Sequence, residues 1–191
     1  MDFTTVKRNL ENRGYLVHVF ASGQEAAAYL DGALDGKDVG CGGSMTLNAL
    51  GIPAMLEKHN RVFGLSDRRE AMNANVYLTS ANALAETGEM INIDNTGNRT
   101  ASTLYGHEKV YFVIGRNKLA PTLEDALWRA RNIAGPKNAQ HLGRKTPCAV
   151  KGDHCYDCRS PERICRCLVI LWEPMNRMEA EVLLIDEELG F

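Results

Sequence analysis

The chain has 191 residues, 45% of them hydrophobic, enough for one domain whose core needs no disulfide to hold it. Its 22 basic and 24 acidic residues leave a formal net charge of -2, which gives no pull toward nucleic acid or an anionic membrane and favours small-molecule or protein partners. No apolar run approaches the roughly 20 residues of a membrane span, and the start Met1-Asp2-Phe3-Thr4 has no basic-then-apolar pattern, so the expected location is the cytoplasm.

In chain order, Phe3, Val6 and Leu10 recur at helical spacing, and Tyr15 to Phe20 is rich enough in aromatic and β-branched residues for a strand. Ser22 is placed to cap a second helix with Ala27, Leu30 and Leu34 on its apolar side, and Asp38-Val39-Gly40 leads into a glycine loop. Thr46 to Leu56 reads as a helical stretch bent at Pro53, Arg61 to Leu65 as a strand, and Ser66 as the cap of a polar helix through Met72. Asn75 to Ser80 is a short apolar run with polar flanks, the pattern of a buried parallel strand whose C-terminal end feeds a loop. Such loop ends are where open α/β sheets bind ligands.

Met90 to Ile93 and Val110 to Ile114 are further strands, and Thr122 to Ala134 is the clearest helix, with Gly135-Pro136 as its expected stop. Leu168 to Trp172 and Glu181 to Asp186, separated by a loop containing Pro174, suggest a terminal β-hairpin. This order predicts a single α/β domain over residues 1–191: a mostly parallel sheet with helices on both faces, and a cysteine-rich extension over 136–167.

Two loops carry polar chemistry. In Gly40-Cys41-Gly42-Gly43-Ser44-Met45-Thr46, backbone amides could line an anion-sized hollow with the Ser44 and Thr46 hydroxyls alongside. The same glycines also make a tight strand-to-helix turn with nothing bound. In the second segment, Thr79 to Asn98, Glu86 or Glu89 could serve as general base or carboxylate nucleophile, while Asn98 and Arg99 could orient a carboxylate or phosphate. The plainer reading is a solvated loop in which Asn98 caps a helix. Lys118, at a strand end, has two readings: reach to an anion at the glycine loop, or a place in a surface turn.

Five of the six cysteines fall within residues 148–167. The spacing Cys148-x6-Cys155-x2-Cys158-x6-Cys165 brings four soft ligands together for zinc or an iron-sulfur cluster, and reduced or redox-active thiols are the other reading. His154 is a substitute metal ligand; Cys167 is a spare ligand or a core residue; His18 reads as a packed strand residue.

Gly40 to Leu47, Asn92-Ile93-Asp94-Asn95-Thr96-Gly97-Asn98-Arg99, Gly115-Arg116-Asn117-Lys118 and the tail Thr146 to Cys165 together resemble the lactate-utilisation (LUD) domain family, in particular its stand-alone branch with a C-terminal cysteine motif. The resemblance implies the fold of ribose-5-phosphate isomerase and the CoA transferases. It also implies a role as a subunit of an iron-sulfur-containing system that oxidises organic acids such as L-lactate, with iron-sulfur partner subunits. On that basis Gly42, Gly43, Ser44, Thr46, Asn82, Asn98, Arg99 and Lys118 would bind a small anionic metabolite, and Glu86 and Asp94 would supply the catalytic carboxylates. A non-enzymatic metabolite-binding regulator or a thiol redox sensor is the alternative.

Overall fold

The computed structural model describes residues 2–191. Helix α1 (Phe3–Asn12) starts where the Asp2 carboxylate accepts the Thr4 amide, and it buries Val6 and Leu10 one turn apart. Strand β1 (Leu16–Phe20) follows, then α2 (Gly23–Ala33), capped by Ser22 Oγ accepting from the Glu25 amide at 3.2 Å. Next come β2 (Asp38–Cys41), α3 (Met45–Ala49), α4 (Ile52–Leu56), β3 (Arg61–Phe63), α5 (Arg68–Asn73) and β4 (Val76–Thr79). The chain continues through β5 (Ala83–Ala85), β6 (Met90–Asp94), α6 (Asn98–Leu104), β7 (Lys109–Gly115) and β8 (Leu119–Ala120). It ends with α7 (Leu123–Arg129), α8 (Gly135–His141), α9 (Pro147–Lys151), β9 (Cys167–Leu171) and β10 (Glu179–Ile185).

Six strands form one sheet in the order β1-β10-β7-β4-β2-β3, every neighbouring pair parallel. A second sheet of four short strands runs β8-β5-β6-β9, with both β6 pairings antiparallel. Alternating side chains of the large sheet divide between two cores, as a period of two requires. Leu183 and Ile185 pack with Leu30, Leu47 and Leu56 under α2 to α4. Val182 and Leu184 pack with Leu10 of α1 and with Met90 and Leu171 of the small sheet. Each of these fully buried aliphatic side chains contributes roughly 1.5–3 kcal/mol relative to exposure. The small sheet is covered on its other face by α7, through Ile91, Ala126 and Ala130. The α/β class with a mostly parallel, helix-flanked sheet is therefore as expected.

Four local expectations need correction. The proposed hairpin does not form: β9 pairs with β6 in the small sheet, and β10 lies between β1 and β7 in the large one. The expected bend at Pro53 is a break at Gly51, which adopts φ 63° between α3 and α4 and leaves Pro53 in the first turn of α4, where its missing donor is harmless. Ser66 does not cap α5, whose N-cap residue is Asp67; the Ser66 hydroxyl donates to that carboxylate. Nor does Gly135-Pro136 stop the helix. Residues Ala130–Ala134 widen into a π turn, in which the Gly135 amide donates to the Ala130 carbonyl, and the helix runs on through α8. The wider turn absorbs the donor that Pro136 lacks.

Candidate functional site

Strands β2, β4 and β7 all end on one side of the large sheet, and their following residues meet there. After β7, a 3-10 turn at Arg116–Lys118 directs Lys118 inward. Its side chain is 4% exposed, and Nζ donates to Thr46 Oγ1 and to Ser80 Oγ, both at 2.8 Å. Thr46 comes from the helix after the glycine loop, and Ser80 from the end of β4. Burial, and then the nearby Arg129 and Arg99 charges, push the Lys118 amine down to about 7.

Arg99 reaches this region from the first turn of α6. Its stem keeps some solvent access, but the guanidinium is enclosed and donates to Asn82 Oδ1 at 3.0 Å and to the Ile93 carbonyl at 2.6 Å. Asn82 Oδ1 also accepts the Ile93 amide at 2.7 Å, so it ties β6 to the guanidinium. Arg129, buried on α7, donates to the carbonyls of Asn117 and Asn82. Burial lowers both arginines from their ordinary value, with no loss of charge at physiological pH. Among the described residues none of the three cations lies within 4.0 Å of a carboxylate oxygen. Their hydrogen-bond partners are hydroxyls and carbonyls, and the nearby Asp94 carboxylate favours the Arg99 charge without pairing with it.

Two buried residues that sequence reasoning missed carry polar groups without partners. Asn92 is fully buried on β6, two residues before Asp94 and on the same face, and neither its Oδ1 nor its Nδ2 has a partner. The Ser102 hydroxyl, buried on α6, is also unpartnered. An asparagine between two isoleucines in a strand was the available signal for the first. An unmade hydrogen bond at such a site costs about 1–3 kcal/mol, which a polar ligand would recover.

The remaining expected residues are distributed as follows. The Gly42 amide donates to the Leu78 carbonyl at 2.9 Å, extending the β2–β4 ladder. A Cβ at Gly42 would stand 2.8 Å from Tyr77 Oη and 3.2 Å from Thr79 Oγ1, and one at Gly40 only 2.4 Å from the Ala71 carbonyl oxygen, so packing explains both glycines. Gly43 is exposed, with Leu65 beside it. Ser44 caps α3 by accepting the Leu47 amide. Thr46 also donates to the Leu189 carbonyl, and Asn117 binds both Leu189 and Gly190, so the C-terminal segment lies over the glycine loop. Cys41 is buried, and its thiol is pushed up to about 12 by desolvation, then by Glu57, which makes it unreactive at neutral pH.

Asp94 accepts the Thr100 amide and hydroxyl on Oδ2 and the Asn95 amide on Oδ1, so both its oxygens hold the start of α6. That helix has Gly97 at its N-cap; Asn98, expected as the cap, instead accepts from the Thr96 hydroxyl. Glu86 lies at the far end of β5, where its amide donates to the Ala120 carbonyl and its own carbonyl accepts from Asn9. Glu89 pairs with Arg13 at 2.5 Å. The structure thus assembles Lys118, Thr46, Ser80, Asn82, Arg99 and Arg129, and leaves Glu86, Glu89, Gly43 and Asn98 outside the hydrogen-bonded cluster.

A separate region gathers the C-terminal thiols. Cys148, Cys155, Cys158, Cys165 and Cys167 all border one cavity of about 300 Å3, and all are free. Among the described residues no three His, Cys, Asp or Glu side chains converge closely enough to ligate a single ion. His154 is not part of the cavity wall; it stacks on Tyr156 at 4.5 Å between ring centroids.

The LUD domain family profile matches residues 4–185. The chain belongs to the LUD domain family. Its fold is similar to the crystal structure of a DUF162 family protein from Deinococcus radiodurans: 15% identity, a TM-score of 0.57, and 96% of this chain and 95% of that chain covered. That likeness supports the fold. Comparison with curated proteins finds no match. No helix among the described residues is long and apolar enough to cross a membrane. Lactate utilisation is thus the family context in which the Lys118 cluster is to be read.

Proposed function

We propose that this LUD protein binds a small anionic metabolite, a 2-hydroxy or 2-oxo carboxylate, as a cytoplasmic subunit of an organic-acid oxidation system of the L-lactate type. The observation that carries the reading is the buried Lys118, held at the strand ends by two hydroxyls beside two arginines, with none of the three cations in ion-pair contact with a carboxylate. Three adjacent cations in a low-dielectric interior repel one another, and one bound carboxylate offsets that repulsion. An anion there would meet the Lys118 ammonium, which can hold or return a proton near neutral pH, and the unpartnered amide of Asn92 would have a polar group to bind. Catalysis would then pass on the two electrons and release the two protons of the oxidised hydroxy acid, with iron-sulfur partner subunits as the electron acceptor.

One observation favours a second reading, a metabolite-binding regulator without turnover: both oxygens of Asp94 are engaged in holding α6, and Glu86 lies away from Lys118. Titration calorimetry with L-lactate, pyruvate and inorganic phosphate tests the site itself. Saturable binding of a carboxylate by the native protein, weakened at least tenfold in Lys118→Met, is expected; equal affinity in both proteins would place the ligand elsewhere. Lactate-dependent reduction of a dye by the protein with its partner subunits then separates turnover from binding alone.

A further inference from the structure

The cysteine cavity carries an inference independent of the anion site. We propose that Cys148, Cys155, Cys158 and Cys165 hold a [4Fe-4S] cluster, each thiol giving up its proton as its sulfur takes one iron, with ferrous and ferric iron in equal amounts and sulfide drawn from solution.

Size decides between a cluster and a single zinc. Four sulfurs around a zinc at about 2.3 Å stand about 3.8 Å from one another and leave no space between them. Here the four thiols are among the residues lining a cavity of about 300 Å3, and among the described residues no three His, Cys, Asp or Glu side chains are grouped as ligands of one ion. A cubane places an iron at each of four corners and fills such a space while bonding sulfurs that never touch.

The walls suit the same occupant. Pro136, Ala139, Ile164 and Leu168 give an apolar lining, which restricts water around the sulfurs. The π turn in the α7–α8 helix makes part of this wall possible, because the helix continues past Gly135 and carries Pro136 and Ala139 to the cavity. Donors already point at the sulfurs. The Asp157 amide lies 3.4 Å from Cys155 Sγ and Arg163 Nη2 3.4 Å from Cys165 Sγ, and Thr146 Oγ1 is 3.3 Å from Cys148 Sγ. Hydrogen bonds to the sulfurs and nearby positive charge set the potential of such a cluster. Arg163 Nε, also at the cavity, is buried without a partner.

The assignment leaves Cys167 out. It is exposed and fixed by the β9–β6 ladder opposite Asp94, whereas the other four are half-buried, Cys148 on α9 and Cys155, Cys158 and Cys165 in the segment between α9 and β9.

The test is anaerobic reconstitution of the full chain with ferrous iron, ferric iron and sulfide, followed by iron, sulfide and zinc analysis, visible absorption, and electron paramagnetic resonance after reduction. About four irons and four sulfides per chain, lost in Cys155→Ser and Cys158→Ser but kept in Cys167→Ser, is the expected result. Circular dichroism on each variant shows that the large sheet has folded, so that metal loss reports ligation. One tightly held zinc with no iron would overturn the proposal. So would a metal-free protein whose thiols all remain open to alkylation after reconstitution, or a Cys167→Ser variant that loses its iron.

Discussion

The Lys118 cluster and the cysteine cavity share strand β6 but differ in how far the protein has completed each. Ile93 borders the cavity, while Asp94, the next residue along and so on the opposite face, fixes the helix that delivers Arg99. Around Lys118 each cation is held by hydroxyls or carbonyls, and none is paired with a carboxylate. Around the cysteines the reverse holds: arginines and amides point at thiols, and the centre is a space. A rigid, hydrogen-bonded site suits a ligand that comes and goes, because little must be reordered on binding. A ring of soft ligands suits a resident cofactor whose binding contributes to folding.

The comparison breaks first at Gly40. If the Lys118 region is rigid because β2 is packed against α5, Gly40→Ala should cost about 3 kcal/mol in a denaturant titration, since the added carbon meets a backbone carbonyl that cannot swing aside. A loss under about 1 kcal/mol would show the region to be compliant.

Lys118→Met sharpens the charge side. Lys118 titrates near 7 when folded and near its ordinary 10.5 when unfolded, so between those values the unfolded chain binds the extra proton. Stability of the ligand-free native protein should therefore rise with pH across that window, by up to about 1.4 kcal/mol per unit. The methionine variant should show a flat profile there and be the more stable protein at neutral pH, as measured by thermal unfolding in a pH series.

Arg129→Lys should lose about 1–2 kcal/mol, because an ammonium cannot make both carbonyl contacts of the planar guanidinium. Cys155→Ser should cost the least, under about 0.5 kcal/mol in metal-free protein. After iron reconstitution the gap between variant and native should widen, because only the native chain gains stability from ligation.

These contrasts also mark what was legible beforehand. Val6 and Leu10 one turn apart, Ser22 ahead of a helix, and the polar-flanked apolar run of β4 carry local patterns, and local patterns determine those elements. The fate of β9 and β10 does not lie in local pattern. Two strands joined by a loop suggest a hairpin, but partners far away in sequence, Met90 to Asp94 and Lys109 to Gly115, decide otherwise. Gly135-Pro136 misleads for a related reason: a proline stops an isolated helix, yet packing of Ala126, Ala130 and Ala139 keeps this one intact through a π turn.

Of the Lys118 cluster, Thr46, Asn82, Arg99 and Lys118 stood in recognisable motifs. Ser80 and Arg129 did not, since only the meeting of β4, α7 and the turn after β7 gives them their partners. Glu86 seemed chemically apt from its residue type; the structure ties its backbone to Ala120 and Asn9 and shows no hydrogen bond from its carboxylate to the Lys118 cluster.

The central claim is that the buried Lys118 amine is poised to share its charge with an incoming anion. Lysine side-chain NMR across a pH series, on native protein with and without saturating L-lactate or phosphate, measures this at the atom concerned. The account predicts a midpoint near 7 without ligand that climbs when the anion binds. A midpoint at the ordinary 10.5, or one that ignores the anion, would contradict it.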